Sequence, residues 1–293
     1  MNIQDENKPQ PSTPIKRGAI GVFDSGYGGL TILSALRVLL PEYDYIYLGD
    51  NARSPYGTRS FDVIKDFTLE AVRYLFAEGC PLVILACNTA SAKALREIQQ
   101  NYLPTSEDPT RRVLGVIRPT VEVLEGMTES GRVGVLATPG TVSAHSYQAE
   151  VEKLFPSLKV YEHGCPMWVP LVEYGESASA GADYFVRQEV EAVLDRDKRI
   201  DTLVLACTHY PLLRPKIEAC LPEGVRLIAQ GDLVAASLKD YLMRHTEIDV
   251  RLTRGGSVSY LTTECPDKFE GLASIFISDR VEAKRVKIDG ESL

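Results

Sequence analysis

Several patterns are missing from the sequence, and each absence excludes a class of protein. No apolar run approaches the roughly 20 residues of a membrane-spanning helix, and the first 18 residues lack the apolar core of a secretory signal. Positive charge is not in excess, because 32 Lys and Arg against 40 Asp and Glu give a formal net charge of −8. We therefore expect a cytoplasmic chain that binds no membrane and makes no direct contact with nucleic acid.

The cysteine spacing that is typical of metal sites is missing as well. The chain has six cysteines but no C-x-x-C pair, and so no zinc-ribbon or zinc-finger pattern. We predict no metal site, and free thiols in the reducing cytosol. The six are Cys80, Cys87, Cys165, Cys207, Cys220 and Cys265.

The chain does have the composition and periodicity of a folded α/β protein. Its 293 residues are 44% apolar and 25% charged, which fits two domains of ordinary size. From Ala19 onward, short apolar runs alternate with amphipathic segments, which is typical of a parallel sheet covered by helices. Strands are predicted near residues 19–23, 45–48, 82–86, 113–116, 133–136, 159–161, 202–206 and 226–228, with weaker ones at 257–261 and 285–288. Helices are predicted over residues 30–40, 61–78, 91–102, 142–154, 181–195 and 233–245.

Two segments of the first part of the chain recur in the second. IGVFDSGYG at 20–28 resembles VGVLATPGT at 133–141, and VILACNTA at 83–90 resembles LVLACTHY at 203–210. The offsets, 113 and 120 residues, are nearly equal, which indicates two α/β halves of similar topology. Ligands of open parallel sheets bind beyond the carboxyl ends of the strands, so two facing halves would bring both A-C-[NT] turns to one cleft.

Cys87 and Cys207 each follow an apolar strand directly and precede a helix. Asn88-Thr89 can cap the first helix, and Pro211 suits the first turn of the second. A thiol at a helix start feels the positive end of the dipole, which is expected to lower its pKa. An isolated cysteine is more often a small packing residue, but two matched cysteines with polar successors favour catalysis.

Asp24 and Ser25 end the first strand and open the loop Gly26-Tyr27-Gly28-Gly29. A dinucleotide fingerprint would need glycine at Thr31, and the carboxylate before the loop would repel a pyrophosphate. We therefore interpret Asp24 as a cleft carboxylate, a base or a partner for an ammonium, with a helix N-cap as the alternative.

His209 stands two residues after Cys207, close enough in a turn for the imidazole to share or relay the thiol proton. The other histidines have no such neighbour. The polar segment from Asp50 to Gly57 is typical of a loop at a ligand-binding edge, although most such loops only connect elements. Glu173 is equally consistent with a cleft carboxylate and with an ordinary exposed one.

Two thiols that approach one carbon from opposite faces suit the inversion of an acidic carbon without a cofactor. One thiolate removes the proton and the other thiol returns a proton on the far side. Because the carbanion is costly, the site must exclude water and place hydrogen-bond donors where the charge collects. The backbone N–H groups at the helix starts are the natural donors, together with the side chains of Ser25, Asn88, Thr89 and Thr208.

Five motifs, in this order, resemble those of bacterial glutamate racemases, within the aspartate and glutamate racemase superfamily. They are FDSGYGGLTIL, YLGDNARSPYG, LACNTASA, CPMWVPLVE and LACTHYPLL. The likeness runs from about residue 19 to the C-terminus, and the combination of D-S-G with A-C-T-H-Y favours glutamate over aspartate.

The resemblance implies a cofactor-independent, two-base interconversion of L- and D-glutamate that supplies D-glutamate for peptidoglycan. It implies two pseudo-symmetric α/β domains with mostly parallel sheets and the active site in the cleft between them, commonly in a homodimer. The domains would be residues 19–117 with about 230–293, and residues 118–229. The polar extension over residues 1–18 exceeds what this fold needs and departs from the family pattern, and we expect it to be disordered.

The resemblance also assigns roles by position. Cys87 and Cys207 would be the catalytic acid/base pair, with Asp24 assisting the first and His209 the second. Glu173 falls on an acidic residue near the ammonium of the substrate. The substrate-contacting pairs would be Asp24-Ser25, Tyr56-Gly57, Asn88-Thr89 and Thr208-His209.

One turn departs from the family pattern, and other functions stay open. Ile228-Ala229-Gln230-Gly231 stands where the resemblance leads us to expect an acidic turn.

Racemisation of aspartate or another small acid is the nearest alternative function, and a panel of substrates would separate it from racemisation of glutamate. Some relatives also inhibit DNA gyrase, so a protein-binding role is a second class of function. A pyridoxal phosphate enzyme is a poor third choice, because no lysine stands in a recognisable cofactor context.

Overall fold

Two parallel sheets organise the protein in the computed structural model, which describes residues 17–288. The strands of this range are β1 (Ile20–Asp24), β2 (Tyr45–Gly49), β3 (Leu82–Leu85), β4 (Arg112–Gly115), β5 (Arg132–Ala137), β6 (Lys159–Gly164), β7 (Thr202–Ala206), β8 (Arg226–Ile228), β9 (Val258–Thr262) and β10 (Ala283–Arg285). The α-helices are α1 (Leu30–Leu39), α2 (Phe61–Ala77), α3 (Asn88–Glu97), α4 (Ile117–Glu122), α5 (Leu124–Met127), α6 (Pro139–Val142), α7 (Ser146–Leu154), α8 (Trp168–Glu173), α9 (Ala180–Leu194), α10 (Arg214–Glu218), α11 (Gly231–Arg244), α12 (Thr246–Asp249) and α13 (Pro266–Ala273). None of the helices in this range is long and apolar enough to cross a membrane.

The larger sheet has six strands in the order β10-β9-β2-β1-β3-β4, all paired in parallel. All five residues of the central strand β1 are buried, because helices cover both faces of a parallel sheet. We call this sheet with its helices the first half.

The smaller sheet has four parallel strands in the order β6-β5-β7-β8. Every residue of β7 is buried, and the apolar cluster beneath it includes Trp168 and Tyr210, whose rings meet edge to face with centroids 4.8 Å apart. We call this sheet with its helices the second half.

The two halves share one topology. The order β2-β1-β3-β4 in the first half matches β6-β5-β7-β8 in the second, which agrees with the internal repeat in the sequence. In each half the cysteine turn follows the third strand, which pairs with the first strand. This place, where the strand order reverses, is where open α/β sheets bind ligands. The predicted α/β class with two parallel sheets is confirmed.

The chain crosses between the halves twice. It leaves the first half after β4 through α4 and returns at the start of α11. Gly231, the first residue of α11, lies so close to α1 that a Cβ atom there would stand 3.1 Å from that of Ala35. The residue before α11, Gln230, donates to the Thr120 hydroxyl in α4 at 2.8 Å, so the two crossings lie beside each other.

Several predicted bounds need correction. The single helix predicted over 142–154 is two helices, α6 and α7, separated at His145, whose φ of 50° breaks the helical run. Helix α3 begins at Asn88 instead of residue 91, and its end continues as a π-helix over Ile98–Tyr102. The last strand is Ala283–Arg285 instead of 285–288, because it takes its register from Tyr260 and its neighbours in β9.

The predicted N-terminal extension falls mostly outside the described residues. Residues 1–16 lie beyond them, whereas Gly18 belongs to the fold. The backbone N–H of Gly18 donates to the Arg251 carbonyl at 2.9 Å, and its own carbonyl accepts from Thr253 N–H at 2.9 Å. The fold therefore begins with a short bridge to the segment before β9.

Candidate active site

Cys87 lies at the start of α3, where the end of β3 places it. It is itself the N-cap of α3, because its sulfur accepts from Ala90 N–H at 3.5 Å. The cap predicted at Asn88-Thr89 is therefore wrong, and those two residues form the first turn of the helix. The Sγ atom also lies 3.4 Å from the hydroxyl of Ser25, in the loop after β1.

Cys207 occupies the equivalent place after β7. Its sulfur lies 3.9 Å from Nδ1 of His209, as the spacing in the sequence predicts. A 3-10 turn over Tyr210–Leu213 follows, with Pro211 in its first turn. Both thiols are nearly inaccessible, at 6% exposed for Cys87 and 7% for Cys207.

Burial controls the acidity of both thiols. It raises the pKa of Cys87 to about 11, and the charge of Asp24 adds to the rise, while hydrogen bonds from Ser25 and Ala90 oppose it. Burial likewise raises the pKa of Cys207, and the charges of Cys87, Asp24 and Glu173 raise it further. The expectation that the helix start lowers these pKa values is wrong, because desolvation of a thiolate outweighs a few backbone N–H groups.

Asp24 is fully buried between the two cysteine turns. One carboxylate oxygen accepts from Gly26 N–H at 2.9 Å and the other from the hydroxyl of Thr208 at 3.5 Å. Burial raises its pKa, and the nearby imidazole of His209 partly opposes that rise. Asp24 does not cap α1, whose N-cap is Gly29 without a side-chain hydrogen bond. A carboxylate of the first half is therefore held against the second half.

His209 is paired with Glu173, the last residue of α8. The imidazole Nε2 lies 2.9 Å from Glu173 Oε1, and the ring of Phe276 packs edge-on against the imidazole at 5.3 Å. Glu173 was equally consistent with a cleft carboxylate and a surface one, and the structure places it in the cleft. Thiol, imidazole and carboxylate thus form a row, an arrangement in which the carboxylate orients and stabilises the imidazolium.

Gly28 lets the first half approach this row. A Cβ atom on Gly28 would lie 2.2 Å from Thr208 Oγ1 and 2.5 Å from His209 Nδ1, far inside ordinary contact. Only a glycine allows the loop after β1 to lie against both side chains.

Two further contacts join the halves beside the cysteines. The hydroxyl of Thr89 lies 2.9 Å from that of Thr138, and the Gly57 carbonyl accepts from Gly140 N–H at 2.9 Å. Gly57 therefore contacts the second half through its backbone. The neighbouring Tyr56 is buried in the core of the first half, in the same apolar cluster as Cys87, and donates its hydroxyl to Asp50.

Residues that the sequence did not point to also surround the site. Gln230 and Tyr147 are hydrogen-bonded to the side-chain amide of Asn88. Thr138 contacts Thr89, and Phe276 packs against His209. The sequence flagged Gln230 only as a departure from the family pattern. In the described part of the chain, no cluster of three or more His, Cys, Asp and Glu side chains is arranged to hold a metal ion.

Comparison with known proteins decides the family. A sequence family described as Asp/Glu/hydantoin racemase matches residues 31–238. The glutamate racemase of Paracoccus denitrificans is 42% identical over 269 residues, covering 88% of this chain and 96% of the relative. The chain belongs to the glutamate racemase family. It is an amino-acid racemase, and so an isomerase.

Solved glutamate racemases share its fold. A Bacillus anthracis glutamate racemase isoform superposes with a TM-score of 0.83 at 33% identity, covering 93% of this chain and 98% of the other. The Francisella tularensis glutamate racemase, solved in complex with D-glutamate, gives 0.82 at 30% identity, covering 94% and 98%. The resemblance inferred from the five motifs is therefore confirmed over most of the chain.

The raised pKa of Cys87 predicts how its alkylation depends on pH. Because only the thiolate reacts with iodoacetamide, the logarithm of the rate should rise linearly with pH past the ordinary pKa of 9.0 in the folded protein and bend only near 11. The same cysteine in the urea-unfolded chain should bend near 9.0. Peptide mass spectrometry at a series of pH values measures both, and coincident curves would contradict the shift.

Replacing Glu173 by glutamine tests the pairing with His209. Loss of the carboxylate should lower kcat by about 10²-fold, because an imidazole that takes the Cys207 proton would lose its counter-charge, with KM nearly unchanged. Glu176→Gln, at an exposed position three residues on, is the control. If Glu173 instead bound the substrate ammonium, the loss would appear in KM.

Proposed function

We propose that the protein interconverts L- and D-glutamate without a cofactor, with Cys87 and Cys207 as the two acid/base groups. The observation that carries the proposal is the pair of buried thiols at matched turns of the two halves. The loop after β1 contacts both turns, through Ser25 to Cys87 and through Asp24 to Thr208. No other pair of ionisable groups in the described cleft has this equivalence. The proposed product, D-glutamate, would supply peptidoglycan synthesis.

The reaction needs one thiolate and one thiol at a time. The thiolate takes the α-proton, so the C–H bond breaks, an S–H bond forms and the electron pair moves onto the substrate carboxylate. The second thiol then gives its proton to the opposite face and becomes the thiolate. The thiols exchange roles for the other enantiomer, which the matched geometry of the two halves allows.

Asp24 and His209 support this exchange from opposite sides. His209, held by Glu173 at 2.9 Å, is placed to accept a proton from Cys207. Asp24 is near enough to raise the pKa of both thiols. The carboxylate of Asp24 also makes the cleft attractive to an ammonium, and a bound ammonium lowers the pKa of nearby thiols, because an opposite charge favours the ionised form.

The carbanion charge needs donors, and the two turns supply them. The first N–H groups of a helix have no partner within the helix, so those of Asn88 and Thr89 at the start of α3 are suited to the substrate carboxylate. The hydroxyls of Ser25 and Thr208 stand beside Cys87 and Asp24. The low exposure of both thiols keeps water from the carbanion.

The organisation around this site belongs to the same proposal. We take residues 19–117 with about 230–293 as the first domain and 118–229 as the second, in a cytoplasmic homodimer. Sedimentation velocity of the purified protein measures the oligomeric state directly, and a monomer at micromolar concentration would contradict the dimer.

Proton NMR of the protein with L-glutamate in D₂O, without added cofactor, tests the reaction. We expect loss of the α-proton signal together with D-glutamate detected by chiral chromatography. D-Glutamate should behave in the same way, and L-aspartate serves as the comparison substrate. Exchange and inversion of aspartate but not glutamate would overturn the substrate assignment, and absence of both would overturn the activity.

A further inference from the structure

Three buried side chains form a closed ring of hydrogen bonds beside Cys87. Asn88 Nδ2 donates to Gln230 Oε1 at 2.6 Å, Gln230 Nε2 donates to the Tyr147 hydroxyl at 2.8 Å, and that hydroxyl donates to Asn88 Oδ1 at 2.8 Å. Each group gives one hydrogen and receives one. Gln230 Nε2 also faces the Val116 carbonyl at 3.3 Å, and a carbonyl only accepts, so the direction of the ring is set. Every ring bond is satisfied, which is what a buried polar network requires.

The ring joins three places in the chain that the fold brings together. Asn88 directly follows Cys87 and opens α3 in the first half. Tyr147 lies in α7 of the second half. Gln230 is the residue before α11, where the chain returns to the first half.

The other crossing is tied to the same ring. Gln230 Nε2 also donates to the Thr120 hydroxyl at 2.8 Å, and that hydroxyl donates to the Val116 carbonyl at 2.7 Å. Val116 and Thr120 lie at the start of the outgoing crossing, in and before α4. One side chain, Gln230, thus links both crossings to the turn that carries Cys87.

The ring changes the interpretation of Asn88. Its amide oxygen and one amide hydrogen face Tyr147 and Gln230, and the residue is 3% exposed. The side chain is therefore directed to the crossings, and its backbone N–H is left for the substrate.

We propose that Gln230 and Tyr147 are positioning residues that act through Asn88 and fix the Cys87 turn relative to the second half, which carries Cys207. The inference rests on the proposed two-thiol reaction, in which both sulfurs must reach one carbon. A displacement of about 1 Å at a reacting group can cost about 10²-fold in rate. Opening the ring loosens the two turns relative to each other, so the loss falls on kcat and leaves KM nearly unchanged.

Two variants each open the ring with little change of volume. Tyr147→Phe removes one oxygen, and Gln230→Met keeps the length of the side chain without its polar atoms. We expect each to lower kcat by about tenfold, which is less than the loss of about 10²-fold expected when a reacting group is displaced by about 1 Å. The double variant should be no slower than the worse single variant, because residues of one network are not additive.

A second readout does not depend on racemisation. In each variant, iodoacetamide should alkylate Cys87 at a rate changed at least threefold relative to Cys207 in the same molecule. Tyr161→Phe is the matched control, because it also removes a nearly buried hydroxyl, one that donates to Asp197 in the second half at 2.6 Å. It should leave the ratio of the two rates and kcat unchanged.

Several results would overturn the proposal. These are wild-type kcat in both variants, single losses that multiply in the double variant, a loss confined to KM, or alkylation of both cysteines changed by the same factor. If the wild-type protein does not racemise glutamate, the proposed function fails, and the ratio of the two alkylation rates still decides whether the ring positions Cys87.

Discussion

Cys87→Ser is expected to lower kcat for racemisation by about 10³-fold in both directions, within the range of a lost general acid/base. The hydroxyl of serine is far too weak an acid and its alkoxide too scarce to replace a thiol. Cys207→Ser should have an equal effect, because each turnover uses both sulfurs whichever enantiomer enters. Initial rates by chiral chromatography from L- and from D-glutamate measure the loss.

The single-thiol variants should still remove and return the α-proton on one face of the substrate. Each should still exchange with D₂O the α-proton of the enantiomer that faces its remaining thiol, without inversion, and the two variants should act on opposite enantiomers. Cys265→Ser, at an exposed cysteine, is the control and should racemise at the wild-type rate. Exchange of both enantiomers by one variant would mean that a group other than the replaced cysteine serves that face.

Gly28→Ala is expected to lower kcat by about 10²-fold, as a small displacement of reacting groups does. The added methyl would stand 2.2 Å from Thr208 Oγ1 and 2.5 Å from His209 Nδ1, so either the loop or the turn after Cys207 must move. Steady-state kinetics and thermal unfolding of the variant measure the effect on rate and on stability separately.

The matched control is Gly126→Ala, where a Cβ atom meets nothing within 4 Å. This variant should keep the wild-type rate, and at a helical position alanine should stabilise the fold slightly. Wild-type activity in Gly28→Ala would show that the loop and the turn after Cys207 can separate without loss of catalysis.

The sequence predicted the parts of the site that follow from strand order. The repeated A-C-[NT] segments placed Cys87 and Cys207 at equivalent strand ends, and parallel sheets bring such ends to one edge. Cys207 and His209 are only two residues apart, so the contact between Sγ and Nδ1, at 3.9 Å in the structure, could be predicted from the sequence. These predictions needed only short-range pattern and the rules of parallel sheets.

The rest depended on tertiary contacts that the sequence does not reveal. Glu173 and His209 are 36 residues apart, and no local pattern shows that α8 ends beside the turn after Cys207. The acidity of the thiols was predicted with the wrong sign, because a helix start is visible in sequence while burial depends on the complete fold. Gln230 stood out only as a departure from the family pattern, and its partners come from three distant segments.

The larger sheet also bears on how the protein is made. β2 pairs with β1 on one side and with β9 on the other, and β9 comes near the end of the chain, after the whole smaller sheet. On the ribosome, the second half can therefore form while one edge of β2 is still open. An open strand edge invites pairing with other chains, so we expect truncation before Val258 to give aggregated protein.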